Sequence, residues 1–154
     1  MKHARKLTAM MLVLAFLFLL STSAFAVSES AGPHIYENIT VNIGLSGGNK
    51  SATATISFTE NNNVIPDSAT TYSGTMTITY VYCPADAMRP SNYVTKTVSG
   101  SFSESANGEN FSLTTNAIPS NCVMIQATCV YRATIELKNA TVNYTPANLT
   151  VYLD

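Results

Sequence analysis

From Ile35 onward apolar and polar residues alternate with a period of two, the period at which a strand sends successive side chains to opposite faces. Ile35, Ile39, Val41, Ile43 and Leu45 share one parity; Tyr36, Asn38, Thr40 and Asn42 share the other. Gly47-Gly48-Asn49 ends this run with turn chemistry. A second run sets Ala52, Ala54, Ile56 and Phe58 against Thr53, Thr55, Ser57 and Thr59, and a third sets Met76, Ile78, Tyr80 and Tyr82 against Thr75, Thr77 and Thr79. Residues 61–71 between them form a polar loop, and 84–92, with two prolines, reads as irregular. Alternation resumes from Tyr93 to Glu104 through Val94, Val98 and Phe102, and Asn107-Gly108 predicts a tight hairpin into Phe111 and Leu113. The longest run carries Val123, Ile125, Ala127, Cys129, Tyr131, Ala133, Ile135 and Leu137 on one face. Val142 and Tyr144, then Leu149, Val151 and Leu153, follow with a change of parity across Thr145-Pro146-Ala147-Asn148, which predicts a bend or bulge.

Seven or eight short alternating strands joined by Gly, Pro and Asn turns predict an all-β chain folded as a two-sheet antiparallel sandwich. An immunoglobulin-like topology is the first expectation, and a jelly roll or other Greek key the second. No segment of this region has a helical period. The polar faces are Thr, Ser and Asn, so only 11% of residues are charged, against ~25% in an average soluble domain.

The N-terminus has a different pattern. Lys2, His3, Arg5 and Lys6 precede an unbroken apolar run from Met10 to Leu20, shorter than the ~20 residues that span a bilayer. Ala24-Phe25-Ala26 supplies a small-x-small cleavage site, so 1–26 is predicted to be a secretory signal peptide of bacterial type. A flexible N-terminal arm, 27–34, and one domain, 35–154, are expected to follow, released outside the cell with no membrane association after cleavage. Losing Lys2, Arg5 and Lys6 leaves five basic side chains against nine acidic ones, an acidic balance that excludes a nucleic-acid backbone as partner.

Three cysteines in an exported chain suggest one disulfide and one leftover thiol. By parity Cys83 and Cys122 both lie off the core face, at strand ends that meet if the two strands are antiparallel neighbours. Cys83–Cys122 is therefore the expected bond, with Cys83–Cys129 the alternative. Cys129, in phase with Ile125, Tyr131 and Ile135, is expected as a buried free thiol.

Candidate chemistry is sparse. His34 is the single histidine after residue 26, and neither a G-x-S-x-G nor an H-E-x-x-H motif occurs. Glu104 and Glu109 flank the predicted hairpin and read as solvated turn residues, so no catalytic role is expected. Glu60, Asn61, Asn63 and Asp67 share a loop without D-x-D-x-D spacing, so no metal site and no cofactor are expected. The pattern N-x-[ST] occurs at Asn38, Asn49, Asn110, Asn139, Asn143 and Asn148. Runs such as Thr75-Met-Thr77-Ile-Thr79 resemble ice-binding arrays but read more simply as the wet sides of twisted strands. By parity Tyr80, Tyr82, Tyr131 and Tyr144 point inward, while Tyr36, Tyr93 and Tyr152 point outward and could form a binding platform. The chain thus reads as a secreted, non-catalytic binding or structural module for an extracellular protein, or alternatively for a glycan.

Overall fold

A computed structural model describes residues 26–36, 39–60, 69–105 and 110–153. The described residues are all-β apart from a single 3-10 turn, Pro90–Asn92: β1 (Val27–Tyr36), β2 (Ile39–Gly47), β3 (Ala52–Glu60), β4 (Ala69–Pro84), β5 (Val94–Ser105), β6 (Asn110–Thr114), β7 (Cys122–Leu137), β8 (Thr141–Tyr144) and β9 (Leu149–Tyr152). They form two antiparallel sheets packed face to face. One has the order β1-β2-β3-β6; the other has the order β5-β4-β7, with β8 and β9 lying one after the other along the far side of β7. The predicted break between β8 and β9 is present, and buried parity passes from Tyr144 to Leu149 and Val151 across it.

The inner faces follow from the alternation. Ile39, Val41, Ile43 and Leu45 of β2 and Ala52, Ala54, Ile56 and Phe58 of β3 meet Met76, Ile78 and Tyr80 of β4 and Cys129, Tyr131 and Ile135 of β7 in one continuous core. At one end Phe58 stacks on Tyr72 with ring centroids 4.4 Å apart, and Phe102 stacks on Phe111 at 4.3 Å. Phe102 lies over Gly74, its cross-strand partner; a Cβ at Gly74 would stand 2.2 Å from the Arg132 carbonyl oxygen, so only glycine fits there. Across the sandwich the Tyr131 hydroxyl donates to the Gly44 carbonyl at 2.5 Å. On the outer face of the second sheet, Thr97, Thr79, Thr128 and Thr150 form a row across four strands, with hydroxyl contacts of 3.3 Å (Thr79–Thr97) and 3.0 Å (Thr128–Thr150).

Four expectations are corrected. Residues 27–34, expected as a loose arm, form most of β1, which pairs with β2 along its length. The Gly-Pro step hid this strand, but proline is tolerated where an edge strand has no neighbour to receive its N–H. The register shifts between Ala31 and His34, so His34 and Tyr36 stand opposite the buried Val41 and Ile39. Ile35, assigned to the core, is instead 65% exposed, and Tyr36, assigned outward, turns in. The apparent run Ile35 to Leu45 spans two strands of opposite phase.

The hairpin expected through Asn107-Gly108, residues outside the described set, does not join neighbouring strands. β5 belongs to the second sheet, and β6 pairs with β3 in the first.

The Cys83–Cys122 bond is also absent; all three cysteines are free and buried. Their strands are antiparallel neighbours as expected, with Cys83 opposite Val123 and Pro84 opposite Cys122. A register shift intervenes, because Val81 pairs with Gln126 and Tyr82 with Met124, leaving Ile125 as the extra residue of a β-bulge. Beyond the bulge the buried residues of β7 are Cys122 and Met124, not Val123 and Ile125. Cys122 therefore shares a face with inward-turned Tyr82, while Cys83 shares the opposite face with Val123. A one-residue offset in a ladder places two side chains on opposite sides of the sheet, and no disulfide crosses it. Cys129 is the buried thiol that its phase implied, and loss of solvation pushes it from 9.0 up to about 11.

Candidate binding groove

The bulge that parts the cysteines also builds the most distinctive surface among the described residues. A bulge brings two consecutive side chains toward one face, and here Ile125 and Gln126 are both half-buried. Gln126 pairs with Tyr152 of β9, and Val81, Gln126 and Tyr152 continue one row of the outer face. Leu153 extends the strand by donating its N–H to the Ile125 carbonyl at 3.0 Å. Val151 is buried, so alternation sends Tyr152 outward, where it is 63% exposed.

The other wall comes from the connection between β4 and β5. Its two prolines do make it irregular, but it is held by its own backbone. Ala87 N–H donates to Pro84 O at 3.1 Å, Asn92 N–H to Arg89 O at 2.8 Å and Tyr93 N–H to Pro90 O at 3.2 Å. The Asn92 side-chain amide donates to Ala87 O at 2.9 Å, and Ala85 N–H ties the loop to Asn121 O on the β7 side. This frame presents Met88, 51% exposed, and Tyr93, 43% exposed. Met88, Tyr93, Ile125, Gln126 and Tyr152 together line an open groove of about 220 Å³.

Two of the three outward tyrosines expected from the sequence, Tyr93 and Tyr152, thus meet in one groove. Tyr36 does not join them; its ring stands edge-on to buried Tyr144 at 5.9 Å, beside His34 at 5.3 Å from the same ring. Sequence reasoning missed Met88 and Ile125. Met88 was legible as an apolar residue inside a Pro-bounded loop, whereas Ile125 was assigned to the core because the apolar triplet Val123-Met124-Ile125 hides the change of phase.

The groove is lined by aromatic and aliphatic surface with two tyrosine hydroxyls and one neutral amide. The chemistry of such a lining suits rings or apolar side chains that carry hydrogen-bonding edges. Among the remaining candidates, Glu60 accepts a hydrogen bond from the Tyr72 hydroxyl at 3.2 Å. Glu104 is exposed, and Glu109, Asn61, Asn63 and Asp67 lie outside the described residues. Asn49, Asn110, Asn139, Asn143 and Asn148 are all exposed, and Asn38 lies outside the described residues. No family model and no curated protein matches the chain.

Proposed function

We propose that the chain is a secreted, non-catalytic binding module with an immunoglobulin-like sandwich, and that it recognises its extracellular partner through the Met88/Tyr93/Tyr152 groove. What supports this topology is that the order β2-β3-β6 in one sheet and β5-β4-β7-β8/β9 in the other can be matched to A-B-E and C′-C-F-G, with β1 as an added edge strand. The observation that carries the functional reading is the convergence of three exposed apolar side chains from two separate segments on one groove, framed by a loop whose backbone is hydrogen-bonded to itself. Exposed apolar surface gathered in this way costs solubility unless a partner covers it.

A glycan is the second reading, favoured by the composition of the groove. Tyrosine rings stack on the C–H faces of a sugar, and the Gln126 amide offers both a donor and an acceptor to its hydroxyls. Glycan-array screening of the exported protein, with Tyr93→Ala and Tyr152→Ala alongside, separates the readings. Retention of a glycan lost in both variants establishes sugar binding. A partner protein whose affinity falls at least tenfold in both variants establishes the first reading. A ligand indifferent to both substitutions overturns the assignment of the groove.

A further inference from the structure

Sheet edges expose N–H and C=O groups to any strand offered to them, and folded proteins blunt them with short strands, prolines, bulges or covering groups. In the first sheet β1 carries the Gly32-Pro33 register shift, and β6 has only five residues. In the second, β8 and β9 have four residues each, and the Glu29 carboxylate accepts the Thr150 N–H. β5 has none of these devices; its one safeguard is charge, in Lys96 and Glu104, which a partner of matching opposite charge would neutralise. It runs for twelve residues, contains no proline and pairs with β4 without a register shift. It ends its sheet, and its other side meets no strand among the described residues.

We propose that this edge binds a second copy of the chain, β5 against β5, antiparallel about a two-fold axis at Gly100. In that register Lys96 stands opposite Glu104 of the second copy, Thr97 opposite Ser103, Val98 opposite Phe102, Ser99 opposite Ser101, and Gly100 opposite its own counterpart. Each of these pairs except the last occurs twice, as a two-fold interface requires. The strand is its own complement in charge, in apolar character and in hydroxyls, and such cross-strand pairs stabilise a ladder. Sliding the register by two residues sets Lys96 against Phe102 or Val98 against Glu104, so charge and apolarity both select this alignment.

The packing beneath the edge fits the same partner. Val98 and Phe102 are only half-buried, at the seam where β6 reaches β5, and Leu113 lies over Gly100 with a terminal carbon 3.1 Å from where a Cβ would stand. A second copy would cover this seam from the side, and about ten backbone hydrogen bonds would join the two edges.

Sedimentation equilibrium of the exported protein tests the proposal, and a monomer–dimer equilibrium is expected. Lys96→Glu or Glu104→Lys sets like charges opposite each other twice per interface and weakens the dimer about tenfold. The double exchange Lys96→Glu/Glu104→Lys restores it. Gly100→Cys, whose two copies face each other across the axis, forms a covalent dimer on oxidation, since directly opposed strand residues fall within disulfide reach. A chain that stays monomeric at the highest attainable concentration overturns the proposal. So does a dimer that ignores both single reversals, is not rescued by the double exchange, or fails to cross-link through Gly100→Cys.

Discussion

The ladder between β4 and β7 has two stretches that obey opposite rules. From Met76 to Tyr80, paired with Ala127 to Tyr131, alternation is unbroken, and the residues that the pattern assigns to the core are in the core. From Tyr82 to Pro84, paired with Cys122 to Met124, the same strands continue, yet in β7 the buried set has changed parity. One extra residue, Ile125, separates the two. The regular stretch holds the sandwich together; the bulged one turns Ile125 and Gln126 outward and leaves Cys83 and Cys122 back to back. A single insertion in a ladder therefore converts packing into an open groove without an additional element.

Substitutions of the same kind should read out the difference. Ile78→Ala, in the fully buried regular stretch, is expected to cost about 3 kcal/mol in urea unfolding, whereas Ile125→Ala on the half-buried bulge should cost about 1 kcal/mol. Equal losses would mean that the bulge is packed as tightly as the core. Alkaline titration probes the regular stretch next. Burial raises the Cys129 thiol from 9.0 to about 11, favouring the neutral form in the folded state. Its contribution is whole below pH 9 and is lost as pH rises toward 11. Tyr144, raised from 10.0 to about 12 by burial, extends the decline, and Tyr131 is shifted in the same direction. Unfolding midpoints should fall from pH 9 upward, and Cys129→Ala should flatten the first part of that fall. The smallest energetic change is the most diagnostic of register. Val123→Cys places a thiol directly opposite Cys83 on the same face, so peptide mapping after oxidation should join positions 83 and 123 and leave Cys122 free. A bond from Cys83 to Cys122 would show that the bulge is misplaced.

Where alternation was strict, the fold was legible. β2 and β3 place Ile39 to Leu45 and Ala52 to Phe58 inward as their periodicity implies, because each has polar residues on the opposite parity. Legibility failed where both parities were apolar, at Val123-Met124-Ile125, since a phase change there leaves no mark on the pattern. It failed again at β1, whose Val27-Ser28-Glu29-Ser30 is too polar to announce a strand that lies at a sheet edge. Tyr72, buried and stacked on Phe58, was hidden because the sequence before it is polar, although β4 already begins at Ala69. Half of the groove was visible from parity, through Tyr93 and Tyr152. Their meeting was not, because it depends on β9 pairing with β7 at Gln126 to Cys129, beside the bulge, and on the hydrogen-bonded frame at 84–93.

The threonine row Thr97, Thr79, Thr128 and Thr150 carries a consequence of another kind. Wet faces in most proteins are kept apart by charges, whose interactions shift with every change of ionic strength or acidity. Hydroxyls that bond to one another across a sheet have no charge for counter-ions to screen and none to gain or lose in ordinary media. Under the export proposed above, the chain would meet water whose salt and acidity no cell regulates. A surface woven from threonine keeps its hydration and its shape through such changes, which gives the chain a tolerance of its surroundings that a lysine-and-glutamate coat would lack.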